Sequence, residues 1–282
     1  MAKSIIPDVI EAAQNRRSFV RKLGLATAAA GAMSMVRGKA EAQTSTDVEV
    51  LNFALNLEYL ESEFYTYATT GGGIEMQGIG ISGVSNAPNP PGGGTTTGGA
   101  KVTFSNTLLF SSQIALEIAS DERAHVTLLR GALGGAAIAR PNINLAALGF
   151  GFGSQNDFIK LARIFEDIGV SAYAGASSML SSAVIQTAAQ ILAAEAEHVA
   201  ALRLQCARLN IPTAPPLDGV DILPPPSGSQ STYLSLNSNG LCALRTPGQV
   251  LYLAFGNAAN ASSGGFFPTG VNGAVTMSST SA

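Results

Sequence analysis

Tryptophan is absent from this sequence of 282 residues, cysteine and histidine occur twice each, and charged residues make up only 12%. Two cysteines are too few for a small disulfide-stapled scaffold. The net charge of −3 offers no basic surface and argues against nucleic acid as a partner. Aromatics are only 6% beside 31 glycines, which excludes an aromatic-rich sheet protein and favours closely packed small-residue helices. Past residue 42 no apolar run is long enough to span a bilayer. What is present, 46% apolar residues over this length, suffices for a real core. Cys206 and Cys242 are compatible either with one disulfide or with two separate small buried residues.

Charge is unevenly spread. Residues 1–42 hold seven Lys/Arg against three Asp/Glu, which leaves nine against sixteen, or −7, for the rest. Within this leader Asn15-Arg16-Arg17-Ser18-Phe19-Val20-Arg21-Lys22 precedes a mild apolar run from Leu23 to Val36, and Ala40-Glu41-Ala42 stands before Gln43. The pattern resembles a twin-arginine export signal with its cleavage site. It implies a protein folded before export, periplasmic or extracellular, with no stable membrane insertion after cleavage.

Helical periodicity runs from about Asp47 to Ala68 and stops at Gly71-Gly72-Gly73. Further helical patterns cover Phe104 to Leu133, Asn156 to Leu180 and Thr187 to Leu209. Residues 70–103 form a Gly/Pro-rich stretch that reads as a long surface loop, and a Gly-rich crossover separates helices two and three. Beyond Ile211-Pro212 lies a polar, Pro-rich extension with Pro224-Pro225-Pro226 as a rigid spacer and a short apolar run from Val250 to Phe255. It reads as a tail that wraps the helices with little core of its own. The expected organisation is a leader at 1–42, an all-α four-helix bundle at 43–210 and an irregular C-terminal extension at 211–282.

The helices repeat as a pair. Glu122-Arg123-Ala124-His125-Val126-Thr127-Leu128-Leu129-Arg130 matches Glu195-Ala196-Glu197-His198-Val199-Ala200-Ala201-Leu202-Arg203 at Glu, His, Val, Leu and Arg. More faintly, Glu58 with Tyr65 matches Glu166 with Tyr173. The chain thus reads as a duplicated helical hairpin.

Side chains three, four and seven residues apart share a helical stripe. On that criterion Glu58 and Tyr65, Glu122 and His125, Glu166 and Tyr173, and Glu195 and His198 all fall on the apolar face of their helices. Four isolated buried carboxylates would cost several kcal/mol each, more than a marginally stable domain can absorb. Two dications offset four carboxylates in formal charge, and two imidazoles complete coordination without adding negative charge. The alternative is a bundle that keeps the pattern without metal and holds paired, partly protonated carboxylates. Glu61 shares the stripe of Glu58, but its counterpart is Gly169, so it is either an extra ligand or a base behind the ligands. Tyr65 and Tyr173 read as amphipathic core residues, or as groups that hydrogen-bond ligands or relay electrons. Arg130 and Arg203 read as solvated salt-bridge partners, and Glu117, Asp121, Asp167 and Glu197 fall off the stripes, on the surface or behind the ligands.

The set Glu58, Glu122, His125, Glu166, Glu195 and His198 resembles, helix by helix, the ligands of ferritin-like di-iron and di-manganese carboxylate proteins. Asn52-Phe53-Ala54-Leu55-Asn56-Leu57-Glu58-Tyr59-Leu60-Glu61, with Gly264-Gly265-Phe266-Phe267-Pro268 and Gly270-Val271-Asn272-Gly273, is similar to bacterial exported ferritin-like domain proteins and plant desiccation-related proteins. The resemblance implies a ferritin-like four-helix bundle with one long crossover, and a site for two iron or two manganese ions that reacts with dioxygen or peroxide. Ferroxidase, peroxidase and catalase-like activity are all compatible with it. The alternative is a non-enzymatic envelope stress protein in which any metal is structural. A homo-oligomer is open, but a closed iron-storing shell is disfavoured by the long loop and tail.

Overall fold

The first helix, α1 (Ser45–Thr70), begins where Thr44 and Asp47 cap each other. Thr44 Oγ1 accepts from the Asp47 N–H at 3.0 Å, and Asp47 Oδ2 accepts from the Thr44 N–H at 2.7 Å. It ends at Gly71, whose φ of 91° only glycine adopts cheaply. The computed structural model describes residues 43–105, 112–212 and 233–282. The leader, the 106–111 part of the second expected helix and the Pro224–Pro226 spacer lie outside the described residues.

Three further long helices follow: α2 (Ser112–Leu133), α3 (Gln155–Ala176) and α4 (Ile185–Leu209), with a short α5 (Pro247–Ala254) near the C-terminus. Phe104 and Ser105, expected as the start of the second helix, are not helical. The third helix stops at Ala176 and tightens into a 3-10 turn, Ser177–Met179, before the expected end at Leu180. Helix α1 packs chiefly on α2 and α3 on α4, and the two hairpins meet through α1 and α3. Because it sits between neighbours, α1 is buried almost all round. The chain is therefore a mostly helical bundle of the expected class, with five α-helices among the described residues. None of them is long and apolar enough to cross a membrane.

The loop after α1 is not confined to the surface. Ile74 and Val102 enter the core, and β1 (Thr96–Thr97) pairs in parallel with β2 (Ile143–Asn144) of the crossover. Arg140, buried in the crossover, donates to Gly94 O at 3.2 Å, and its guanidinium also meets Glu63 and Glu75. These bonds satisfy backbone that would otherwise have to stay wet.

The described residues from 43 on form one compact unit, and the tail contributes to its centre. Val250, Leu251, Phe255, Phe266, Phe267 and Val271 are buried in the same core as the bundle. Phe266 meets Phe165 of α3 edge-on at 5.0 Å. Asn272 is fully buried and joins three segments. Its N–H donates to Asn56 Oδ1 at 3.0 Å, its Nδ2 donates to Ala139 O at 2.8 Å, and its Oδ1 accepts from Asn86 N–H at 2.8 Å. The two cysteines are not joined to each other; Cys206 is buried and Cys242 half-buried.

Candidate metal centre

Every helix of the bundle sends one glutamate to its middle. Glu58, Glu122, Glu166 and Glu195 are all fully buried, whereas His125 and His198 each keep 8% exposure, so the imidazoles form the solvent end of the cluster. His125 Nδ1 lies 3.3 Å from Glu58 Oε2, 3.5 Å from Glu122 Oε2 and 3.5 Å from Glu195 Oε1. His198 Nδ1 lies 3.2 Å from Glu122 Oε1 and 3.1 Å from Glu166 Oε2. The imidazole centroids are 6.4 Å apart. Glu122 thus turns one oxygen toward each histidine.

Two sets of donor atoms result, each within 4.8 Å of one another: Glu58, Glu122, His125 and Glu195, and Glu122, Glu166, Glu195 and His198. Glu122 and Glu195 belong to both. Glu58 with His125 comes from the first hairpin and Glu166 with His198 from the second. Glu61, buried beside them, supplies no atom to either set.

Several of these atoms approach one another without hydrogen-bond geometry. Glu58 Oε2, both oxygens of Glu122, both of Glu195 and His125 Nδ1 are buried and have no hydrogen-bond partner. Native interiors rarely leave such groups unsatisfied. Lone pairs that converge on a common point suit a cation, and oxygen with imidazole nitrogen is a donor set for iron or manganese. The residues therefore fit a buried metal centre.

The outer oxygens of the two end carboxylates are held crosswise. Tyr65 on α1 donates to Glu166 Oε1 of α3 at 2.5 Å, and Tyr173 on α3 donates to Glu58 Oε1 of α1. Burial, then Glu166 for Tyr65 and Glu58 for Tyr173, pushes both phenols well above their ordinary value, so they keep their protons and donate. Burial opposes charge on His125, but the Glu58 and Glu122 carboxylates outweigh it and raise the imidazole to about 11. His198 is likewise raised despite burial, by Glu166 and then by Asp121 and Glu122. Glu61 and Glu195 are pushed well above the carboxylate range by burial and by the surrounding glutamates. Such a cluster has a high affinity for positive charge, whether protons or dications.

Periodicity did not distinguish some neighbours. Asp121, off the stripe, reaches His198 Nε2 at 3.3 Å. Asp167 is not on the surface: it is buried and accepts from the equally buried Arg203 at 2.8 Å, with Arg163 at 3.4 Å. Arg203 is thus no solvated salt-bridge residue, because the tail covers it and its Nε donates to Tyr233 O. Arg130 donates to Tyr59 Oη at 2.5 Å and to Ser82 O at 2.9 Å. Glu63, off the stripe and midway between Glu61 and Tyr65, is buried as well. No pattern in a helix buried on every side could have separated it from its neighbours.

A helical bundle with buried carboxylates and two imidazoles at its centre defines a class of carboxylate-histidine metal-site proteins. The chain belongs to the ferritin-like domain family, which matches residues 46–207. It is 24% identical over 276 residues to the ferritin-like catalase Nec2 of Nesocodon mauritianus, covering 81% of this chain and 84% of that protein. It is 27% identical over 176 residues to the desiccation-related protein PCC13-62 of Craterostigma plantagineum, covering 56% of this chain and 52% of that one.

Proposed function

We propose that the protein binds two iron or two manganese ions and reacts with peroxide or dioxygen, as a catalase, peroxidase or ferroxidase does. The observation that carries this is the set of buried donor atoms on Glu58, Glu122, Glu195 and His125 that point at one another and hydrogen-bond to nothing. The name of the catalase relative supports the peroxide reaction. When bound, the ions supply the electrons that a small oxidant takes or returns.

The chain's own residues divide the remaining work. Glu122 and Glu195, common to both donor sets, hold the two positions together. Glu58 and Glu166 each have one oxygen fixed by a tyrosine and the other facing a histidine. Tyr65 and Tyr173 orient those carboxylates, and as the phenols touching the ligand set they are placed to pass a proton or an electron. His125 and His198 close the cluster toward bulk water. The leader supports export by the twin-arginine route to the periplasm or beyond, as a protein cleaved after residue 42 with the bundle at 43–210 and the extension at 211–282.

Elemental analysis should find about two metal ions per chain after folding with iron or manganese, and none bound would sink the reading. A second reading, a non-enzymatic stress protein with structural metal, draws on the desiccation-related relative. Replacing His125 and His198 with Ala separates the two. Peroxide consumption disappears under the first reading, while protection of a test enzyme during drying persists under the second.

A further inference from the structure

The duplication relates the two halves of the cluster, and at two positions beside it an acid stands in one half only. Glu58 pairs with Glu166, Tyr65 with Tyr173, Glu122 with Glu195 and His125 with His198. Asp121 has Ala194 as its counterpart, and Glu61 has Gly169.

Asp121 lies toward one half. Asp121 Oδ2 sits 3.3 Å from His198 Nε2, while Nδ1 of the same ring faces Glu122 and Glu166. Among the described residues, the carboxylates within 4.0 Å of the His125 ring nitrogens all face Nδ1 and none faces Nε2. Glu61 is buried against the cluster and stands with Glu195 beside Gly169. Gly169 makes room for this arrangement: a Cβ there would lie 2.4 Å from Glu195 Oε2 and 3.3 Å from Glu61 Oε1. The space left at Gly169 is taken by Glu195 of the same half and, from the other half, by Glu61.

Resting on the two-metal reading above, we propose that the two metal positions are unequal, that the Glu166–His198 position fills first, and that Asp121 is the positioning residue responsible. A carboxylate at the far nitrogen of a coordinating imidazole fixes its tautomer and makes the near nitrogen a better donor, an effect worth about 10–100-fold in metal affinity. That difference separates two otherwise symmetric steps.

The test is calorimetric titration of the metal-free full chain with Mn(II), followed by electron paramagnetic resonance at one and two equivalents. Two steps about 10–100-fold apart are expected, with an isolated Mn(II) spectrum at one equivalent and a coupled one at two. Asp121→Asn should weaken the tight step by that factor and spare the loose one, and Asp121→Glu should restore it. His125→Ala should keep the tight step, and His198→Ala should lose it. Equal steps in the parent protein, or an Asp121→Asn effect spread evenly over both, would overturn the proposal while leaving a two-metal centre intact. No binding at all would overturn both.

Discussion

Single side chains carry the charge problem of this molecule and its solution. Four fully buried glutamates would repel one another without the two imidazoles that face them at 3.1 to 3.5 Å. Each tyrosine removes part of the cost by donating across the hairpin boundary. Tyr173→Phe leaves Glu58 Oε1 without its donor, so the metal-free protein should lose about 1–3 kcal/mol in urea unfolding. A loss within error of zero would mean that this oxygen is satisfied elsewhere. Gly169→Ala separates site geometry from folding. Alanine favours a helix interior by about 1 kcal/mol, so circular dichroism should show an intact bundle. Because the new Cβ would meet the Glu195 carboxylate at 2.4 Å, bound metal by elemental analysis should fall. Full loading of the variant would show that Glu195 moves without consequence.

At the scale of elements, polar contacts at helix ends and loops hold the hairpins in register. Asp47 caps α1 and also accepts from the N–H of Ser181 at 2.8 Å and from its hydroxyl at 2.7 Å, tying the start of α1 to the turn between α3 and α4. Burial opposes its charge, but the bonds from Ser181 and Thr44 win and bring its pKa down to about 2. A carboxyl depressed on folding stabilises above its unfolded value near 4 and loses that contribution as pH falls toward 2. The melting temperature should therefore drop over that window, and Asp47→Asn should be less stable at pH 6 and flatter below pH 4. An unchanged acid limb in the variant would assign the acid sensitivity to other groups. Periodicity and breakers place α1, α3 and α4 within a few residues of where they stand, because local spacing alone decides an amphipathic helix. The long loop was harder to read: its glycines and prolines signalled turns, but its pairing with residues 143–144 depends on a partner more than forty residues away.

Across the whole molecule, protons and dications compete for one cavity. His125, His198, Glu61 and Glu195 all bind protons more tightly when folded. Groups raised on folding stabilise below their unfolded values and lose that stabilisation as pH climbs toward the folded ones, about 11 for His125. Metal-free protein should thus melt progressively lower between about pH 6.5 and 9, whereas the metal-loaded form should hold its melting temperature, because dications replace the protons. Parallel curves with and without metal in differential scanning calorimetry would count against this linkage. The tail belongs to the same unit: Phe266 and Phe267 are buried in the core, and Asn272 links α1 to the loop and the crossover. Asn272→Ala should cost about 2–4 kcal/mol in the same unfolding assay, since it strands several buried groups at once.

By itself the sequence determined the helices, their duplication and the inward placement of Glu58, Glu122, His125, Glu166, Glu195 and His198. Those features follow from spacings of three, four and seven residues within one helix. Only the tertiary structure decided that Tyr65 serves Glu166 and Tyr173 serves Glu58, that Asp121 reaches the histidine of the other hairpin, and that the tail completes the core. Each of these joins residues on different elements, and their distance depends on how whole helices pack, which no local period encodes.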